Sequence, residues 1–234
     1  MTIRTIACRV ANRLLFPVLP ARRRLPFRHL LHCLEGGAEP EMLHMDRLCS
    51  GRGSAVDAGA NLGFYSYRMS RLFRQVHAFE VNGSLLEDLA AYNPGNITVH
   101  PMGLSSGTGE LTLYTPVLRG QALHGWASLT PDNCPDTREH TTQVVRVGPL
   151  DATDIRDVSF FKIDVEGHEA ETLQGASATI ARDRPVVLVE IKERNVADVR
   201  AFFQSLGYSE TSLQKLAGIA GSSENHIFVP EPPP

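Results

Sequence analysis

A chain of 234 residues that is 42% hydrophobic has enough apolar content to bury one substantial core, and α/β domains of this length are commonly single. Its net charge of −3 hides an asymmetry: residues 1–34 hold seven arginines and no acid, so the remainder carries −10, and an acidic body excludes a nucleic-acid partner, whose phosphates call for a basic face on the fold. Cys8, Cys33, Cys49 and Cys134 lack C-x-x-C spacing, which excludes a disulfide framework and points to a reducing, cytoplasmic setting, and no run of roughly 18 apolar residues offers a membrane span.

The first segment, 1–35, reads as a basic helical extension. Ile3, Ile6, Ala7, Val10 and Leu14 fall on one face at helical spacing, with Arg4, Arg9 and Arg13 off it, until Pro17 and Pro20 end the pattern. Arg9 and Arg13 also interrupt what would be the apolar core of a signal peptide. Two readings stay open: residues 1–25 make peripheral contact with an acidic membrane surface, or the helix packs on its own domain or a partner.

From residue 54 the pattern alternates. A strand over 54–58 is followed by a helix stripe of Leu62, Tyr65, Met69 and Leu72, a strand over 75–80, a helix face of Leu85, Leu86, Leu89 and Ala90, and a strand over 96–100. The middle, 103–148, is rich in Gly, Ser, Thr and Pro, with short alternating runs at 110–114 and 143–147. It predicts a small β insertion with loops, the kind of appendage that supplies a substrate wall. Alternation resumes with a strand over 158–163, a helix from 169 to about 182, a strand over 185–191 and a helix from 196 to about 206. Strand-like pieces at 208–213 and 226–229 follow, before a proline-rich end unsuited to a central strand. Apolar strands alternating with helices give an α/β fold with a mostly parallel sheet and helices on both faces.

In such sheets ligands sit beyond the carboxyl ends of the strands, where strand order reverses. Acids mark those ends: Asp57 late in the first strand, Glu80 closing the second, Asp164 the fourth, and Glu190 near the end of the fifth. The first turn runs Asp57-Ala-Gly59-Ala60-Asn61-Leu-Gly63. Gly59 permits a tight turn, Asn61 is placed to cap the helix, and Gly63 allows close approach of helix and strand. A dinucleotide site shows G-x-G-x-x-G against a pyrophosphate, but here the glycines are spaced G-x-x-x-G and an acid precedes them. That carboxylate suits a cationic ligand such as S-adenosylmethionine, with its ammonium and sulfonium. Glu80 lies near the offset at which an acid meets ribose hydroxyls, about 20 residues on. A purely structural turn is the alternative.

The stretch Phe161-Lys-Ile-Asp-Val-Glu-Gly-His-Glu169 concentrates the remaining chemistry. Strand alternation puts Lys162, Asp164 and Glu166 on one face, until Gly167 ends the strand. Lys162 reads as strand body, and Glu169 as a carboxylate complementing the first turn of a helix. Asp164 is the crevice acid, placed to orient a bound ligand or an acceptor hydroxyl. His168 or Glu166 would take the acceptor's proton, with a capping or loop role the alternative for His168. A metal held by Asp164, Glu166 and His168 is not expected, because the i, i+2, i+4 pattern is no recognised ligand spacing and no second His/Cys pair supports it.

Val56-Asp-Ala-Gly-Ala-Asn-Leu-Gly-Phe-Tyr-Ser66, Ala78-Phe-Glu80, Leu150-Asp151, Lys162 to Glu169, Gly175-Ala176 and Arg184-Pro185 together resemble the FkbM-type family of S-adenosylmethionine-dependent methyltransferases. Glu39-Pro40-Glu41 resembles the helix before the family's domain, and Ala127-Ser128-Leu129 a short motif of its middle loop. The likeness runs from about 36 to 191. It implies a Rossmann-like methyltransferase fold, with a seven-stranded sheet whose last strand is antiparallel, and methyl transfer to oxygen, often on a sugar, glycan or natural product. On that likeness 36–230 is the methyltransferase domain and 231–234 a flexible tail. Asp57, Gly59, Ala60, Asn61, Gly63 and Glu80 would hold the donor, while Asp164, Glu166 and His168 face the acceptor. One departure stands out: the family's proline after the acid at Glu80 is Val81 here, which leaves the ribose contact less rigidly placed. A nicotinamide-dependent oxidoreductase and a non-catalytic adenosyl-binding protein are the rival readings.

Overall fold

Residues 3–49, 51–130, 139–191, 195–221 and 224–232 are described by a computed structural model. Cys134, which falls in the predicted 103–148 insertion, and the last residues of the tail lie outside these. The helical extension is α1 (Ile3–Leu15) and α2 (Ala21–Glu35), joined by a 3-10 turn at Phe16–Val18. The pattern does end at the predicted prolines, but α2 then starts directly after Pro20 and runs through Pro26 to Gly36. Short helices α3 (Pro40–Leu43) and α4 (Met45–Leu48) lead into the sheet.

The alternating half is β1 (Ser54–Ala58), α5 (Phe64–Met69), β2 (Gln75–Phe79), α6 (Glu87–Tyr92) and β3 (Ile97–His100). The insertion forms its own sheet from β4 (Gly103–Leu104), β5 (Gly109–Leu118), β6 (Gln121–Ala122) and β7 (Glu139–Gly148), in the order β4-β7-β5-β6. Its two long strands pair antiparallel from Gly109↔Val147 to Val117↔Glu139, extending well past the predicted runs. The remainder is β8 (Val158–Ile163), α7 (Glu169–Gln174), α8 (Ser177–Asp183), β9 (Val186–Glu190), α9 (Val196–Ser205), β10 (Tyr208–Thr211), α10 (Leu213–Ala217) and β11 (Asn225–Pro230).

The main sheet has the order β10-β11-β9-β8-β1-β2-β3. Strands β3, β2, β1, β8 and β9 are parallel, and β11 runs antiparallel to both β9 and β10. This is the Rossmann-like methyltransferase arrangement, seven strands with one reversed. Successive residues of a strand serve opposite cores. Phe160 and Ala55 join Tyr65, Met69 and Leu89 on one face, while Phe161 and Val56 join Leu173, Ile180 and Phe203 on the other. With both faces covered, β8 and β1 read as continuous apolar runs rather than alternating ones.

Two predicted elements differ. The helix expected over 169–182 is two, because α7 ends at Gly175, where a Cβ would overlap the Ser105 carbonyl oxygen. The strand expected over 208–213 stops at Thr211, and Ser212 caps α10 by accepting from the Lys215 amide.

Candidate active site

The chain winds from β1 to β2 and β3 on one side and from β8 to β9 on the other, so the order reverses between β1 and β8. The crevice beyond these strand ends is the expected ligand position. Asp164 follows β8 and donates its amide to the Ala58 carbonyl at 3.0 Å. The loop after β1 crosses directly over it. Gly59 has φ +77°, and a Cβ there would overlap the Asp164 carbonyl oxygen, so no other residue fits. The amides of Gly59 and Ala60 both donate to the Phe79 carbonyl at 3.0 Å. The Asn61 amide donates to Glu80 Oε2 at 2.8 Å, and Glu80 Oε1 accepts the Asn82 amide at 2.9 Å. Three successive amides of the loop are thereby spent on β2 and its terminal acid. Burial pushes the Glu80 carboxyl above its usual range, and the two amides oppose that shift.

Asn61 and Gly63 do not act as expected. Asn61 sits at φ +49° with its amide on Glu80, and the N-cap of α5 is Gly63, which makes no side-chain cap bond. Gly63 lies under Leu89 of α6, and the close approach it allows is between helices rather than between helix and strand.

Two clefts flank the loop and share Gly59, Asn61 and Asp164. One has Glu80 and Glu166 in its walls together with the apolar Val81, Leu104, Leu113 and Leu129. The insertion supplies Leu113, His124 and Leu129, so it does form a wall. Ser128 ties that wall down by donating its hydroxyl to the Glu166 carbonyl at 2.7 Å. The other cleft is charged, with Glu39, Tyr65, Lys162 and Asp164 around Ala60. It continues, through His32, Leu62 and Phe64, into a groove between α1 and α2.

Lys162, strand body by its sequence pattern, is the organising charge of the site. It is buried, with Nζ 2.9 Å from Asp164 Oδ2, 3.9 Å from Asp57 Oδ1 and 4.7 Å from the centre of the Tyr65 ring. Burial alone would strip its proton, but Asp164 and Asp57 outweigh it and hold the ammonium protonated well above the ordinary lysine range. The Tyr65 hydroxyl and the Asn225 amide both donate to Glu39 Oε2 at 2.7 Å, fixing an acid from the pre-domain helix at the rim.

Asp57 lines neither cleft. It is fully buried beneath the loop, accepts the Ser66 hydroxyl at 2.6 Å on Oδ2, and lies opposite Lys162 in the parallel pairing of β1 with β8. Its charge, read from the sequence as an attractor for a cationic donor, is directed at that lysine. His168 also departs from its predicted place. Glu166 at φ +49° and Gly167 at φ +94° turn the chain, so that His168 is buried with Nε2 3.0 Å from Ser105 Oγ and Nδ1 3.6 Å from Glu171. It lines neither cleft, and burial lowers its proton affinity below that of an ordinary histidine. Glu169, as expected, opens α7; it is buried and accepts from the Gly167 amide at 2.6 Å and the Asn195 side chain at 2.8 Å. Asp164, Glu166 and Glu190 offer oxygens within 4.8 Å of one another. Glu190 thus stands where the considered metal set had His168.

The methyltransferase FkbM domain model matches residues 57–210. Among solved structures, methyltransferase FkbM from Methylobacillus flagellatus KT superposes with a TM-score of 0.51 at 19% identity, over 95% of this chain and 60% of that one. This chain therefore spans about three fifths of that protein's length, and at such identity the likeness is one of fold. A TehB-like SAM-dependent methyltransferase from Corynebacterium glutamicum ATCC 13032 Kitasato gives 0.48 at 12% identity, over 90% of this chain and 98% of that one. No curated protein matches the sequence.

Proposed function

This chain belongs to the methyltransferase FkbM domain family, and we propose that it transfers a methyl group from S-adenosylmethionine to a hydroxyl of a sugar, glycan or natural product. The observation that carries the choice of donor is the loop after β1. Its amides at Gly59, Ala60 and Asn61 are all engaged by Phe79 and Glu80, so none remains to cradle a pyrophosphate as a dinucleotide site requires. Family membership sets the oxidoreductase alternative aside as well.

The residues present fit a phosphate-free adenosyl donor. Each Glu80 oxygen has a second acceptor position beyond its backbone amide, the pair needed for a ribose diol. Val81, Leu104, Leu113 and Leu129 offer an apolar slot for a base. Glu39 and Asp164, in the charged cleft, suit an ammonium. The donor supplies an electrophilic methyl on its sulfonium. The protein's own part is to position the acceptor oxygen, keep water out and receive one proton. Lys162 cannot receive it, being held protonated, and His168 is out of reach. Glu166, in the wall of the apolar cleft beside Asp164, is the carboxylate we assign to receive the acceptor's proton.

No helix among the described residues is long and apolar enough to cross a membrane. The thiols of Cys8, Cys33 and Cys49 are free, in keeping with a cytoplasmic setting.

Calorimetric titration with S-adenosylmethionine tests the donor. Wild type is expected to bind, and Glu80→Gln to bind roughly tenfold or more weakly, through lost hydrogen bonds to a charged acceptor. Absence of binding by wild type, or equal binding by Glu80→Gln, overturns the donor reading. Mass spectrometry of incubations with sugar, glycan and natural-product alcohols then looks for a product one methylene heavier. Donor binding with no such product across these classes favours the non-catalytic adenosyl-binding protein.

A further inference from the structure

Of the two readings of the N-terminal stripe, packing on the domain and contact with an acidic membrane surface, the structure leaves the stripe itself uncovered. α1 lies against α2, and its buried side chain is Cys8. Of the apolar stripe on α1, Ile6 is 46% exposed, Val10 51% and Leu14 66%, and the exposed apolar run continues into Val18 at 75%. Seven of the thirteen large exposed apolar side chains among the described residues fall between Ile6 and Leu34, so this is a patch rather than the usual scatter of surface apolar groups. Arg4, Arg9 and Arg13 stand exposed beside it on α1, Arg22 and Arg23 follow at the start of α2, and no acid occurs before Glu35. Arg4 and Arg13 form no ion pair among the described residues.

From this juxtaposition we propose that the exposed face of α1 and the turn after it is a docking surface for an anionic lipid bilayer. Charge complementarity selects that occupant. An apolar stripe flanked by arginines places its side chains at the headgroup boundary and its guanidinium groups against lipid phosphates. A second copy of the chain is disfavoured by symmetry. A two-fold interface sets the same patch against itself, which would bring the arginines of α1 against their own kind with no acid to balance them. Docking goes beyond methyl transfer and does not depend on it, so the two succeed or fail separately.

Co-sedimentation of the full chain with vesicles tests the surface. Phosphatidylcholine vesicles containing phosphatidylglycerol are expected to pellet the protein, and pure phosphatidylcholine vesicles to leave it in the supernatant. Arg4→Gln with Arg13→Gln should weaken binding roughly 30-fold, at the usual contribution of a basic residue near an anionic surface. Val10→Glu with Leu14→Glu should weaken it at least about tenfold. All four positions are exposed, so circular dichroism and donor calorimetry should be unchanged. No pelleting with anionic vesicles, or pelleting untouched by either double variant, overturns the proposal. A dimer in gel filtration that Val10→Glu with Leu14→Glu dissolves would overturn it too, by giving the face to a second copy.

Discussion

Asp57 and Asp164 terminate neighbouring strands and share one lysine, yet they belong to different parts of the site. Asp57 is the last residue but one of β1, and lies in register with Lys162 under a loop that seals it. Asp164 is the first residue beyond β8 and opens onto both clefts. Two positions along a parallel strand separate a floor, whose charges answer one another, from a wall, whose charges open onto the clefts. The floor is Asp57, Ser66 and Lys162; the wall is Glu80, Asp164 and Glu166, backed by Ser128. If that division holds, floor substitutions should cost stability and wall substitutions should cost turnover.

The sharpest break would come at Lys162. Lys162→Met keeps the bulk but leaves Asp57 buried with only the Ser66 hydroxyl, an uncompensated charge expected to cost about 3–5 kcal/mol. Urea denaturation measures it, and the double variant with Asp57→Asn should recover part of the loss because the orphaned charge is gone. A loss below about 1 kcal/mol in the single variant would mean that the floor is not an ionic unit. On the wall, Glu166→Gln should lower the rate of methyl transfer roughly a hundredfold or more, the usual contribution of a positioned base. Donor affinity and urea midpoint should stay at wild-type values. A Glu166→Gln enzyme of normal rate would move the proton to Asp164 or to solvent.

What was legible follows the same line. Strand and helix alternation and the acids closing the strands came from local patterns, and a local signal suffices because a buried parallel strand is apolar on both faces. Gly59 was recognisable because a tight turn directly behind a strand needs a positive φ. The partner of Asp57 was not, since Lys162 is brought opposite by a register between strands about a hundred residues apart in sequence. Nor was the direction of His168. The left-handed backbone at Glu166, a residue type with no preference for it, turns the histidine toward Ser105 of the insertion. The break at Gly175 depends on contact with Ser105, and which side of α1 is covered depends on α2, which packs on its Cys8 side. Each miss is a tertiary contact overriding a local pattern.

His168 gives the smallest effect and the finest cut between floor and wall. Belonging to neither cleft, His168→Gln should retain the rate within about threefold, because general-base roles carry far larger losses. Its signature should lie in stability. Burial lowers the folded-state proton affinity, with Glu171 only partly opposing, so the unfolded chain binds the proton more readily. The stabilisation is therefore complete above the ordinary histidine value near 6.5 and is lost progressively as the pH falls from there toward the lower folded value. Urea midpoints compared between wild type and His168→Gln should diverge above that window and converge below it. The acidic limb of the pH–rate profile should be the same in both proteins if Glu166 takes the proton. If that limb shifts or vanishes in His168→Gln, the histidine reaches the acceptor after all, and the division between floor and wall has to be redrawn through the turn at Glu166 and Gly167.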